Sequence, residues 1–178
     1  WLLSTRSIGF GEAFRAALFN ITSVVTTTGF ASDDYTKWGA LAVGAFFILT
    51  FLGGCAGSTS GGIKVYRFQL ASLITRSHVL HLMSPNRVVT LSYNGRRVPD
   101  DVPFSVVAFL AAYMASVGVF TVALAAMGLD LVTAVSSSAT ALSNVGPGLG
   151  NVVGPAGTFT TMPAAAKWVL AFAMMLGR

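Results

Sequence analysis

The chain has 178 residues, 54% of them hydrophobic and 10% charged, with a net charge of +5 and a mean hydropathy of +0.72. A soluble domain carries about 25% charged residues, so these figures exclude a disordered chain, argue against an ordinary cytosolic enzyme and point to a membrane protein. The single cysteine, Cys55, excludes an internal disulfide framework and argues against a cysteine zinc site.

The first residues, Trp1 to Arg6, lack the basic start, apolar core and cleavage site of a signal peptide. The chain opens without methionine and reaches Arg178 within an apolar run, Trp168 to Gly177, that is too short to span; a piece of a longer membrane protein is expected. Gly11 to Val25 reads as a short helix with Glu12 in its first turn, where a carboxylate suits the helix dipole. At about 15 residues it is too short to cross a bilayer and fits a re-entrant half-helix. Thr26-Thr27-Thr28-Gly29-Phe30 follows, then the acidic pair Asp33-Asp34. A membrane helix is expected to begin over Trp38 to Leu52, with Trp38 as an interface anchor.

That helix is interrupted. Residues Gly53 to Gly62 hold five glycines in ten positions, a run unsuited to a helix interior. Irregular backbone at membrane depth is tolerated only inside protein or beside a wet cavity, so a broken helix is expected, resuming over Ile63 to Leu82. Lys64, Arg67, Arg76, Arg87, Arg96 and Arg97 lie in a stretch without Asp or Glu, which the positive-inside rule makes cytoplasmic. Two tyrosines there, Tyr66 and Tyr93, are too few and scattered to argue for nucleic-acid binding. A turn falls at Asn94-Gly95, and Val102 to Leu129 reads as an uncharged spanning helix. Asp130 is suited to cap a short helix over Leu131 to Ser143. Asn144-Val145-Gly146-Pro147-Gly148 follows, and Pro163 opens the last helix, which contains Lys167-Trp168.

The two halves repeat a pattern of half-helix, loop and spanning helix. The offset is 117 residues at Gly29 and Gly146, and 130 at Lys37-Trp38 and Lys167-Trp168, so the second loop is expected to be 13 residues longer. A half-helix that stops inside the membrane points a partly negative carbonyl end at the cavity, which favours a cation. The loop beyond it can turn carbonyls inward as a substitute for the water around a potassium ion. Thr27-Thr28-Gly29-Phe30-Ala31 and Asn144-Val145-Gly146-Pro147-Gly148 both align with T-V-G-Y-G around the central glycine. One such loop is a common turn; two at equivalent places in a repeat carry more weight.

These residues bear a resemblance to the Trk/Ktr-type potassium transporters, the TrkH/KtrB family related to plant HKT proteins. Its carriers are Phe19-Asn20 through Phe30, the run from Gly53 to Lys64, Ser143 to Gly150, and Met175 to Arg178. The resemblance implies an all-α integral membrane fold of repeated helix–pore-loop–helix units of the potassium-channel type, with a broken pore-lining helix. It implies a third pore repeat lacking its first helix at 1–82, a basic cytoplasmic connector at 83–101 and a fourth repeat at 102–178. The implied function is potassium uptake, with no enzyme activity, no cofactor in this chain, no transition metal, and potassium as substrate. Thr27, Thr28, Gly29, Phe30, Asn144, Val145, Gly146 and Pro147 would form the filter. Gly57, Ser58, Thr59, Ser60, Gly61 and Gly62 would form a gate facing Arg178, whose guanidinium the loop carbonyls and the Ser58 and Thr59 hydroxyls would hold. Read from the residues alone, a gate and a structural kink stand level. Implied partners are membrane lipid, an N-terminal half of the same pore, a second copy in a homodimer and a cytosolic nucleotide-binding regulatory ring of the RCK type, with no nucleic acid. The implied location is the inner (plasma) membrane, multi-pass.

Rival readings are weaker. Gly57 to Lys64 resembles a nucleotide P-loop, but Ile63 separates the glycine from the lysine. An intramembrane enzyme using Ser58 or Ser60 would need a general base, and none is in sight. A broken-helix secondary transporter for sodium or a small organic substrate remains the alternative. His78 and His81 lack a third ligand and read as a surface pair. Asp33 and Asp34 either concentrate cations at the outer mouth or solvate a loop.

Overall fold

The computed structural model describes residues 9–84, 91–99 and 101–178. Arg87, in the basic connector, lies outside the described residues. Helix α1, Phe10–Val25, starts from extended Gly9 with Glu12 in its first turn. A 3-10 turn, Tyr35–Trp38, precedes helix α2, Ala40–Phe51. At 1.5 Å per residue those 12 residues rise about 18 Å, short of a hydrocarbon core of about 30 Å. The chain breaks there. Strands β1, Leu52–Gly53, and β2, Ile63–Lys64, pair in parallel with Leu52 opposite Ile63 and Gly53 opposite Lys64, so the glycine-rich segment leaves and returns at one point. Helix α3, Val65–Met83, continues beyond it.

A small hairpin follows, β3, Ser92–Tyr93, against β4, Arg96–Arg97. Asn94 and Gly95 turn it with φ of 49° and 75°, the primed geometry that Asn-Gly favours. Helix α4, Val102–Ala126, has 25 residues, long and apolar enough to cross a membrane. Helix α5, Leu131–Ser143, is capped by Asp130, whose carboxylate accepts from Thr133 N at 3.1 Å. Hydrogen bonding from the Thr133 side chain, and then from its backbone N–H, holds the Asp130 carboxyl below the usual aspartate range. A single helical turn, α6, Gly150–Val153, and a 3-10 turn, Phe159–Thr161, lead to helix α7, Ala164–Leu176, with Pro163 at its cap.

Helix α5 is buried along almost its whole length, though its sequence is mostly Ser, Thr and Ala. In a membrane, where apolar side chains gain little by meeting each other, small residues let helices approach closely, and that is the logic of this centre. It packs between α4 and α7 in a core containing Tyr113, Phe120, Leu124, Leu142, Leu170 and Ala173. A second cluster of Val24, Tyr35, Trp38, Phe46, Val145 and Leu149 joins the two halves.

Three expectations are corrected. Trp38 is not an interface anchor at the head of a spanning helix. It is buried at 2% exposure, edge-on to Tyr35 and Phe46, and its indole N–H donates to Asp33 Oδ2 at 2.9 Å. Gly39, at φ 111°, separates it from α2. Trp168, in contrast, lies inside α7 and is 78% exposed, so the Lys-Trp pairs are not equivalent. The helix starts set the true offset: eleven positions separate Gly29 from Ala40 and eighteen separate Gly146 from Ala164, so the second loop is longer by seven, not thirteen. Helix α4 also stops three residues early, because Met127-Gly128 turns with Gly128 at φ 88°.

Candidate functional site: two half-helix ends and the broken-helix loop

Both half-helices end in the same way. Beyond α1, Thr27 takes a left-handed φ of 56°, and the carbonyl of Ser23 accepts from Thr28 N at 2.9 Å and Gly29 N at 3.4 Å. Beyond α5, Asn144 takes φ 54°, and the carbonyl of Thr140 accepts from Val145 N at 3.1 Å. These reversals release the chain at Gly29, φ 80°, and Gly146, φ 111°, angles that glycine adopts without strain. The two carbonyl-rich helix ends, 117 residues apart in sequence, thus present matching loops.

The loops abut. A Cβ built on Gly29 would overlap the Val145 carbonyl oxygen and sit 3.3 Å from Pro147 Cδ, and one on Gly146 would lie 4.0 Å from Gly29 Cα. Gly29, Val145, Gly146 and Pro147 therefore meet, with Thr27, Thr28 and Asn144 beside them in the chain, while Phe30 is 71% exposed. Thr28 Oγ1 lies 2.8 Å from Thr26 Oγ1, which donates to Thr22 O at 2.7 Å.

Polar side chains tie each loop down, Asn20, Ser143 and Asn144 among the residues singled out above and Thr140 and Tyr113 not. Asn20, fully buried, donates to Ala16 O at 2.8 Å and Ser32 Oγ at 2.9 Å, and its Oδ1 accepts from Ser32 N at 3.2 Å. This fixes the returning strand of the first loop to α1. In the second loop Thr140 Oγ1 accepts from Gly146 N and donates to Pro147 O, both at 3.0 Å. Asn144 Nδ2 donates to Met174 O at 3.1 Å, and Tyr113 OH lies 2.7 Å from Ser143 Oγ. Asn20 had a signal, an amide within an apolar half-helix; Thr140 and Tyr113 had none, because their partners are set by tertiary packing.

Asp33 and Asp34 have loop-building partners. Asp33 accepts from Trp38 and from Asp34 N at 2.8 Å, while Asp34 caps the 3-10 turn through Thr36 N and pairs with Lys37 at 3.4 Å. Burial pushes the Asp34 carboxyl up, but the Thr36 bonds and Lys37 outweigh it and hold it below the usual range.

The broken-helix loop lies against the base of the second half-helix. A Cβ on Gly61 would overlap the carbonyl oxygen of Ser143 and fall 2.9 Å from Asn144 Cβ. Gly177 makes an equally close approach to Leu142, bringing the end of α7 to the same place. A cavity of about 540 Å³ opens there, lined among others by Ser58, Thr59, Ser60, Lys64, Arg67 and Arg178. Arg178 and the loop thus share one cavity. The hydrogen bonding differs from expectation, however. Among the described residues, none of the loop's hydrogen bonds goes to Arg178: Lys64 Nζ donates to Ser58 O at 3.0 Å and Ser58 Oγ at 3.5 Å, to Ser60 O and to Ser60 Oγ at 3.2 Å. These bonds tie Lys64, the first cation of the basic stretch, to the loop. The Arg67 guanidinium stacks over the Phe109 ring at 3.9 Å.

Half-helices that end in paired loops, packed on a membrane-length helix and flanked by a broken one, define a helical pore-loop membrane protein. Residues 3–178 match the TrkH family, described as cation transport protein, and the chain belongs to that family. It is 51% identical over its full length to a Trk system potassium uptake protein TrkI from Halomonas elongata, covering 36% of that protein. It is 36% identical over 162 residues, 91% of the chain, to TrkH of Escherichia coli K12, of which it covers 33%. The crystal structure of the potassium transporter TrkH from Vibrio parahaemolyticus superposes with a TM-score of 0.90 at 35% identity, covering 99% of this chain and 37% of that one. The chain spans about a third of the length of the curated relatives it matches.

Proposed function

We propose that this chain supplies two of the carbonyl-lined loops of a potassium uptake pore, together with the loop that gates it. The observation that carries this reading is the approach of Gly29 to the Val145 carbonyl at the ends of two half-helices. Thr27, Thr28, Gly29 and Phe30 form one filter segment, and Asn144, Val145, Gly146 and Pro147 the other. Their backbone carbonyls replace water around a potassium ion, and the negative ends of α1 and α5 stabilise its charge. Potassium is the substrate; the chain holds no cofactor of its own. Residues 1–82 are one pore repeat without its first helix, 83–101 the cytoplasmic connector and 102–178 a further repeat.

The loop Gly57 to Gly62 is the gate. Its support is the contact of Gly61 with the carbonyl of Ser143, directly at the base of the second filter segment, and the cavity shared with Arg178. The whole protein is a multi-pass inner (plasma) membrane transporter, completed by an N-terminal half of the same pore. It works as a homodimer with a cytosolic nucleotide-binding ring of the RCK type. The β3–β4 hairpin, with Arg96 and Arg97 as its second strand, gives that ring a basic surface. Flux of rubidium into vesicles holding the full-length protein tests the reading: potassium competes for it and small organic solutes do not. Inhibition by an organic solute instead would favour the broken-helix transporter of the alternative reading.

A further inference from the structure

The ammonium of Lys64 sits in a cluster of oxygens of the broken-helix loop. Lys64 is held in register opposite Gly53 by the β1–β2 pair, and from there its side chain folds back over the loop. Ser58 O, Ser58 Oγ, Ser60 O and Ser60 Oγ surround Nζ. Ser60 Oγ also accepts from Gly54 N at 3.0 Å and lies 2.7 Å from Ser58 Oγ, which in turn donates to Cys55 O at 2.7 Å. The segment from Gly54 to Ser60 is therefore closed around one charged group. A lysine has three donors and no acceptor, and it meets four oxygens here. Carbonyls at membrane depth need partners, and the backbone of a glycine-rich loop has few of its own.

We propose that Lys64 is the positioning residue that locks the intramembrane loop, acting as a tethered cation in the loop's own oxygen cluster. An ammonium and a potassium ion are compact monovalent cations that satisfy the same carbonyls. While Lys64 occupies them, the loop stays folded against Ser143 and cannot coordinate an ion in transit. Removing the charge leaves the Ser58 and Ser60 carbonyls without their partner, so the loop opens more often. This rests on the reading of the loop as a gate.

Cys55 is an exposed reporter at the start of the loop, and its carbonyl takes both Ser58 N, at 3.0 Å, and Ser58 Oγ. The test uses the full-length transporter with any other accessible cysteine replaced, reconstituted in vesicles. Lys64→Met should raise the rate of Cys55 labelling by a methanethiosulfonate reagent by about tenfold, the factor expected when a charge-assisted hydrogen bond is lost. Rubidium flux should rise with it, while potassium over sodium selectivity holds. Where Lys64→Met fails to fold, Lys64→Gln, which keeps donors but not charge, is read in the same way. Unchanged labelling in a folded variant overturns the lock. If shortening the loop by residues 57–61 raises flux yet Lys64→Met leaves labelling unchanged, the lock is wrong and the gate stands. If labelling rises but neither variant alters flux, Lys64 holds the loop and the gate reading falls.

Discussion

Gly29→Ser in the full-length transporter should lower potassium over sodium discrimination by on the order of tenfold, equivalent to about 1.4 kcal/mol. Two effects act together. The backbone at φ 80° is one that an L side chain resists, at roughly 1–2 kcal/mol. The added Cβ would also collide with the Val145 carbonyl oxygen, so the damage reaches the partner loop. Carbonyl spacing sets the match to one ion, and an oxygen pushed aside costs the better-fitting ion more. Thr140→Val should act in the same direction and more weakly. It removes the hydroxyl that takes the Gly146 amide and bonds the Pro147 carbonyl, but leaves the backbone angle alone. Paired potassium and sodium uptake measures both. Unaltered selectivity in Gly29→Ser would remove Gly29 from the filter.

Shortening the gate has the second large effect. Deleting Gly57 to Gly61 should raise flux per folded protein and make it less dependent on the regulatory ring. The break does not depend on the loop's length, because β1 and β2 pair directly and hold its ends together. Four residues remain to close the gap between Gly53 and Ile63, and at about 3.3–3.6 Å each they can reach across a strand spacing of about 4.8 Å. The deletion also removes Gly61 from the carbonyl of Ser143 and enlarges the cavity below it. Arg178→Ala should raise flux less. A guanidinium within about 4 Å of a passing cation opposes it by about 4 kcal/mol at an effective dielectric near 20, before screening. The filter is untouched, so selectivity survives in both. A loop that served only as a kink would give poor folding and low flux instead.

How far the sequence reaches depends on how local the cause is. Helix α5 is legible to the residue because Asp130 caps its start and Asn144, in a left-handed conformation, ends it. Helix α1 is legible within one residue, and the Gly53–Gly62 break within two, since glycine content decides both ends. The equivalence of Gly29 and Gly146 also follows from spacing alone, and their matching left-handed neighbours Thr27 and Asn144 agree with it. Trp38 is the clearest loss. Its sequence context suits a membrane interface, but its place is fixed by the rings of Tyr35 and Phe46 and by Asp33. That misplacement carried the error in the second loop's length. The contacts of Lys64 were hidden for a related reason. In sequence it begins a run of cations, and only the parallel pairing of Gly53 with Lys64 turns it back onto Ser58 and Ser60. The contact between Gly29 and Val145 lies beyond any local pattern, because it is made across the two repeats.

The central claim is that the carbonyls around Gly29 and Gly146 hold the transported ion. Anomalous diffraction from crystals of the full-length protein grown in rubidium addresses it directly. The account predicts a rubidium peak on the axis between the Thr28–Gly29 and Val145–Gly146 carbonyls, lost when sodium replaces rubidium. A protein that carries rubidium flux but binds the ion elsewhere, with no peak beside these two loops, would contradict it.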